Sequence, residues 1–212
     1  MKRRAFITLL GGAAVTWPLA ARAQQSGKLP TIGFLGSATP LVESQRVAAF
    51  VQRLRELGWI ENRTVAIEYR WGEGRDERFA EIAAEFVRLK VDLIVAPTTP
   101  AAIAAKQATS TIPIVFVGAG DPVATGLVPS LARPGGNVTG LALQTPDTSA
   151  KRLELLREVV PALRQLAILA NAGNPVTLAD MRKVEAAVDL LGLTVVTLEI
   201  RRMEDIARFR GA

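Results

Sequence analysis

The chain has no cysteine and no histidine, and its aromatic residues number only one tyrosine, three tryptophans and seven phenylalanines. Without thiolate or imidazole there is no zinc site of the usual ligand set, no thiol or serine–histidine nucleophile, no disulfide framework and no histidine pH switch. Any chemistry must therefore run on carboxylates, hydroxyls, Lys and Arg, or the backbone, and neither a metal nor a cofactor is expected. A phosphate loop and a dinucleotide fingerprint are also missing. The apolar stretch from Ala5 to Ala20 is broken by Gly11, Gly12 and Pro18, and it falls short of the ~20 residues that cross a bilayer. No stable membrane anchor is expected.

What is present is an ordinary globular composition: 212 residues, 49% hydrophobic and 22% charged, with a net charge of +6. The charge is unevenly placed. Lys2, Arg3, Arg4 and Arg22 lie in the first 23 residues, which hold no acid, and the remainder carries 22 basic against 20 acidic residues. Those residues are spread as mixed pairs along helices, so the basic balance does not mark a nucleic-acid-binding surface.

Residues 1–23 read as an export signal, with a basic start, an apolar centre and the small-residue cleavage site Ala21-Arg22-Ala23. Lys2-Arg3-Arg4-Ala5-Phe6-Ile7 resembles a twin-arginine motif. The expectation is a cleaved protein delivered to the periplasm, freely soluble because no cysteine can carry a lipid.

Beyond a polar linker, apolar runs alternate with amphipathic ones, the pattern of a parallel α/β sheet covered on both faces. Strands are expected at 31–35, 65–69, 93–96, 114–117, 138–143, 166–170 and 194–198. Between them, helical stripes recur in Val47, Phe50, Val51, Leu54 and Leu57, and in Phe79, Ile82, Ala83, Phe86 and Val87. Two more follow, in Leu153, Leu156 and Val160, and in Met181, Val184, Val188 and Leu191.

A weak internal repeat organises these elements. Ile32 to Pro40 is a strand, a polar loop and a proline, followed by a helix ending at Leu57-Gly58, and Leu166 to Pro175 repeats the order with a helix ending at Leu191-Gly192. Two similar lobes are expected, at 28–145 and 146–212. The second has only two strands, too few to bury both faces of its helices, so it is expected to be incomplete, with a truncated helix from Met203.

Ligands of open parallel sheets bind beyond the carboxyl ends of the strands. The loops there share one chemistry: Gly36-Ser37-Ala38-Thr39-Pro40, Pro97-Thr98-Thr99-Pro100, Gly118-Ala119-Gly120-Asp121-Pro122 and Asn171-Ala172-Gly173-Asn174-Pro175. Each sets a small polar residue before proline. Helix capping accounts for each one singly, but four around one cleft, with hydroxyls beside helix N-termini, suit an anion. A small carboxylate-bearing solute is the natural guest. Asp121 is the one carboxylate placed in these loops of the first lobe, without a second acid spaced for acid–base work. Tyr69 and Trp71 either stack on a ligand or cover a sheet edge.

The stretches LRELGWIENRTVAIEYRWGEGRDERF, VDLIVAPTTPAAIAAKQATSTIPIVFVGAGDPVATGLVPSLARPGGNVTGL and KRLELLREVVP closely resemble the ABC transporter substrate-binding proteins that include tryptophan- and tyrosine-binding members. The resemblance runs from about Lys28 to Phe209. It implies a periplasmic binding protein fold of type I, with two flavodoxin-like parallel-sheet lobes that close on a small-molecule ligand, an amino acid being one candidate. It also implies delivery of that ligand to a membrane permease and its ATPase, and no enzymatic activity. By position, Ser37, Thr98, Thr99 and Asp121 would face the ligand from one lobe and Asn171 from the other. A periplasmic ligand-sensing module, and an envelope enzyme using Asp121, are the alternatives.

Overall fold

A computed structural model describes residues 28–143, 148–201 and 203–209. The export signal expected at 1–23 and the lobe boundary expected near Thr145 lie outside the described residues.

Five strands form one wholly parallel sheet: β1 (Thr31–Gly36), β2 (Ala66–Trp71), β3 (Leu93–Ala96), β4 (Ile114–Gly120) and β5 (Val138–Leu143). Their order is β2-β1-β3-β4-β5, that of a flavodoxin-like sheet, in which the direction of winding reverses between β1 and β3. Every residue of β1 is buried, as its central position requires.

Helices seal both faces of this sheet. On one side α1 (Pro40–Glu56) lays Val47, Phe50 and Leu54 against Ile32, Phe34, Val65 and Val95. On the other, α2 (Arg78–Leu89) and α3 (Thr99–Ala108) bury Phe79, Ile82, Ala83, Phe86, Ala101, Ala102 and Ala105 with Leu35, Ile94 and Ile114. The stripes expected from helical periodicity face the cores, buried or half-buried, apart from Leu57 and the 41%-exposed Val160. Leu57 follows the end of α1 and is 60% exposed.

The periodicity gives no sign of α3, because TPAAIAAKQA packs through small residues and carries no large apolar stripe. β4 runs three residues beyond its expected end. Gly118, at φ +92, forms an irregularity that shifts the register between Val117 and Ala119 and lets pairing with β5 continue to Gly120.

The second sheet has two parallel strands, β6 (Gln165–Asn171) and β7 (Thr194–Ile200). Two helices, α4 (Ser149–Val159) and α5 (Pro175–Leu191), pack Leu153, Val184 and Val188 onto Leu166 and Val195. A 3-10 helix, Met203–Phe209, ends the described chain.

Candidate ligand site

Parallel strands carry all their carboxyl ends to one edge, so the proline-bearing loops after β1, β3 and β4 lie along one edge of the five-stranded sheet, while the fourth follows β6 of the second sheet. Phe34 pairs with Val95, and Ser37 and Thr98 each follow their member of that pair by three residues. The two residues therefore flank the β1/β3 reversal, where such sheets bind ligands.

The side chains expected to face a ligand differ sharply in what already holds them. Ser37 donates from both its N–H and its hydroxyl to Glu43 Oε1, at 2.8 and 2.7 Å, and the Ala38 N–H joins them at 2.6 Å. Thr99 is buried, and its hydroxyl accepts the Gly120 N–H at 3.0 Å, which ties the loop after β3 to the end of β4. Asn171 Oδ1 accepts the Gly173 N–H at 2.8 Å, and the Asn171 side chain also hydrogen-bonds Asp76. Asp121 sits at φ +29 and accepts the Ala124 N–H at 2.9 Å through Oδ1.

Thr98 stands apart. Its hydroxyl oxygen is buried at the N-terminus of α3 and has no hydrogen-bond partner among the described residues. Neither Thr98 nor Thr39 uses its side chain to cap the helix that follows, whereas Asn174 does, accepting the Val176 N–H at 3.0 Å. Capping thus accounts for one of the loops and leaves Thr98 unexplained. A buried hydroxyl without a partner costs about 1–3 kcal/mol.

The loop at Asp121 corrects the capping pattern in a second way, because no helix begins at Pro122. The chain makes a turn, with the Thr125 N–H on the Asp121 carbonyl at 3.0 Å and Gly126 at positive φ. The prolines and glycines spaced from Pro122 to Gly136 interrupt any longer helix.

A cavity of about 520 Å³ opens between this turn and α5, within the usual range for small-molecule sites. Asp121, Thr125 and Leu143 line one wall, and Val176, Asp180 and Lys183 line the other. Of the five residues singled out in the sequence, Asp121 alone reaches it. Ser37 and Thr98 belong to the reversal point, and Asn171 to a contact with the loop after β2.

That loop, Gly72 to Glu77, is a strand-end loop that the proline pattern passes over, and it carries Glu73, Asp76 and Glu77. Asp121 is therefore not the sole carboxylate at this edge. Burial holds the Asp76 carboxyl above its usual range, against the opposing effect of the Asn171 hydrogen bond. Backbone bonds from Gly72 to Gly36, Glu73 to Ala38 and Gly74 to Ser37 join this loop to the one after β1.

Tyr69 and Trp71 form one cluster with Phe34. Ring centroids lie 5.8 Å from Phe34 in both cases, and the two rings stack 6.3 Å apart at 3°. Burial, with Glu61 close by, pushes the Tyr69 hydroxyl up to about 12. Trp71 lies against Gly36 in the space a β-carbon would need. These rings pack on the sheet face beneath α1, as residues covering an edge strand do.

Residues 43–209 match the model of the family described as ABC transporter substrate binding protein. The tyrosine-binding protein of Clostridioides difficile is 36% identical over 127 residues, covering 59% of this chain and 36% of that protein. A conserved domain protein from Vibrio cholerae superposes with a TM-score of 0.75 at 27% identity. An ABC domain in complex with L-Trp from Streptococcus pneumonia does so with a TM-score of 0.72, also at 27% identity. Each of these two alignments covers 85% of this chain and 60% of the other, so the chain spans well under two thirds of its relatives' length. A leucine-binding protein from Thermotoga maritima shares the fold with a TM-score of 0.58.

Proposed function

Given that the chain belongs to the ABC transporter substrate binding protein family, we propose that it captures a small carboxylate-bearing solute at the carboxyl edge of its sheets. An aromatic amino acid is the first candidate. Support for that class comes from the tyrosine-binding relative and from the relative in complex with L-Trp. The observation that carries the proposal is the buried, unpartnered Thr98 hydroxyl at the N-terminus of α3. An incoming carboxylate oxygen would accept its proton and would also meet the positive end of the helix. Asp121 and Asn171 would complete the cleft from the β4 side and from the second lobe.

In this reading the protein is not an enzyme. It is exported by the signal at 1–23 to the periplasm, closes on its ligand, and presents the closed form to a membrane permease and its ATPase. Lobes at 28–145 and 146–212 would be the closing bodies.

Thr98→Val tests the site directly, because it exchanges the hydroxyl for a methyl group of the same shape. The free protein should gain about 1 kcal/mol, since a buried unpaired group is removed. Affinity for the solute should fall at least tenfold, about 1.4 kcal/mol. Thermal shifts of the full chain against amino acids and simple carboxylates, repeated with a form extended by the remaining second-lobe segment of the Streptococcus relative, read both effects. Melting temperatures that no solute raises in either form would overturn the proposal.

A further inference from the structure

The first turn of α1 is inside out. Leu41 and Val42 are 84% and 70% exposed, while Glu43 is only 1% exposed and is the one buried acidic side chain among the described residues. A helix laid on a sheet ordinarily does the reverse. A position where local pattern and burial conflict points to function more than to folding.

The hydrogen bonds at Glu43 fix where one particular proton lies. Its Oε1 receives the Ser37 N–H, the Ala38 N–H and the Ser37 hydroxyl. Backbone amides can only donate. An oxygen that accepts from two amides is not the protonated oxygen of a carboxyl group, so the Ser37 hydroxyl must donate as well. That hydroxyl has a single proton, and it is committed to Glu43. Whatever reaches Ser37 Oγ from the cleft therefore meets lone pairs only.

Thr98, on the other side of the β1/β3 reversal, is the opposite case, because its hydroxyl proton is uncommitted. The pair gives the cleft a direction. We infer that Glu43 is a positioning residue that sets solute specificity: by making Ser37 an obligate acceptor, it selects solutes that bring an ammonium group to Ser37 while their carboxylate meets Thr98. The favoured class is the amino acid, over carboxylates of the same shape that lack the amine. This inference rests on the binding role proposed above and deepens it.

The test is calorimetric titration of the full chain with L-tyrosine and L-tryptophan and with their deaminated counterparts, 3-(4-hydroxyphenyl)propionate and indole-3-propionate. The unmodified protein should prefer the amino acids by about tenfold or more. Ser37→Ala, which removes the acceptor, and Glu43→Met, which frees the Ser37 proton, should each erase most of that preference and leave the deaminated acids within about twofold. Glu43→Gln keeps an acceptor oxygen for all three donors and should retain the preference. A merely structural role for Glu43 would lower both ligand classes together. Should Glu43→Met fail to fold, Ser37→Ala and Glu43→Gln still decide the matter. Equal loss of both classes in Ser37→Ala, or equal affinity for both classes in the unmodified protein, overturns the inference and leaves the binding role standing. If the unmodified protein binds none of the four compounds, the aromatic amino acid assignment fails and this inference with it.

Discussion

β1 and β6 open equivalent strand–loop–helix units, yet they live in different surroundings. All six residues of β1 are buried. Along β6 burial alternates, and Leu169 is 52% exposed, as Val196 of β7 is at 50%. Both strands are apolar on both faces, the pattern of a strand meant to be covered twice. The five-stranded sheet has α1 on one side and α2 and α3 on the other, whereas α4 and α5 supply the single core of the two-stranded sheet. Sequence pattern thus records the cover a strand is built for, and the described residues supply all of it to β1 and half of it to β6.

The largest test of that contrast is a pair of core truncations. Phe86 is fully buried against Gly33, and Phe86→Ala should cost about 3–5 kcal/mol in urea denaturation. Leu153→Ala, in the half-covered core, should cost about 2 kcal/mol, because a site open on one side can relax. Equal losses would mean that the two cores are equally tight.

A matched pair of glycines sharpens the contrast at a smaller scale. A β-carbon on Gly140 would strike the Phe116 carbonyl oxygen of the neighbouring strand, so Gly140→Ala should cost about 1–3 kcal/mol by overpacking. Gly192, in the second unit, has φ +62 and open space around it. There Gly192→Ala meets only the left-handed backbone penalty of about 1 kcal/mol. Melting temperatures of the two variants should separate in that order.

The smallest effect lies at the junction of the two units, where Asp76 meets Asn171. Burial raises the Asp76 carboxyl above its usual 3.8, so the fold favours its neutral form. The stability this contributes is full below pH 3.8 and is lost as the pH rises through the raised value. Asp76→Asn cannot titrate and should therefore gain on the parent as the pH rises from 3.8 through the raised value. A difference in melting temperature that does not change with pH would show the carboxylate to be well solvated.

All seven strands were legible, because most are continuous apolar runs bounded by turn residues. The boundaries were less so. Gly118 reads as the start of a loop, and it is the irregularity that carries β4 on to Gly120. Of the candidate site, Ser37 and Thr98 could be placed in strand-end loops by loop chemistry alone, and the strand order then puts them at the reversal point. Their opposite hydrogen-bonding states could not: that of Ser37 depends on Glu43, which reads as an ordinary polar position in the first turn of a helix, and that of Thr98 on burial without a partner among the described residues. Asp76 escaped because its loop lacks the proline that marked the others.

The three backbone bonds that join Gly72, Glu73 and Gly74 to Gly36, Ala38 and Ser37 have a kinetic consequence. They continue the pairing of β1 and β2 past the ends of the strands, so this part of the rim is ordered when the chain folds. The entropy of arranging it then falls on folding and not on ligand capture. If the proposed binding role holds, association on this side is limited by encounter with the open cleft, and the lifetime of the complex by how often the opposite unit swings away.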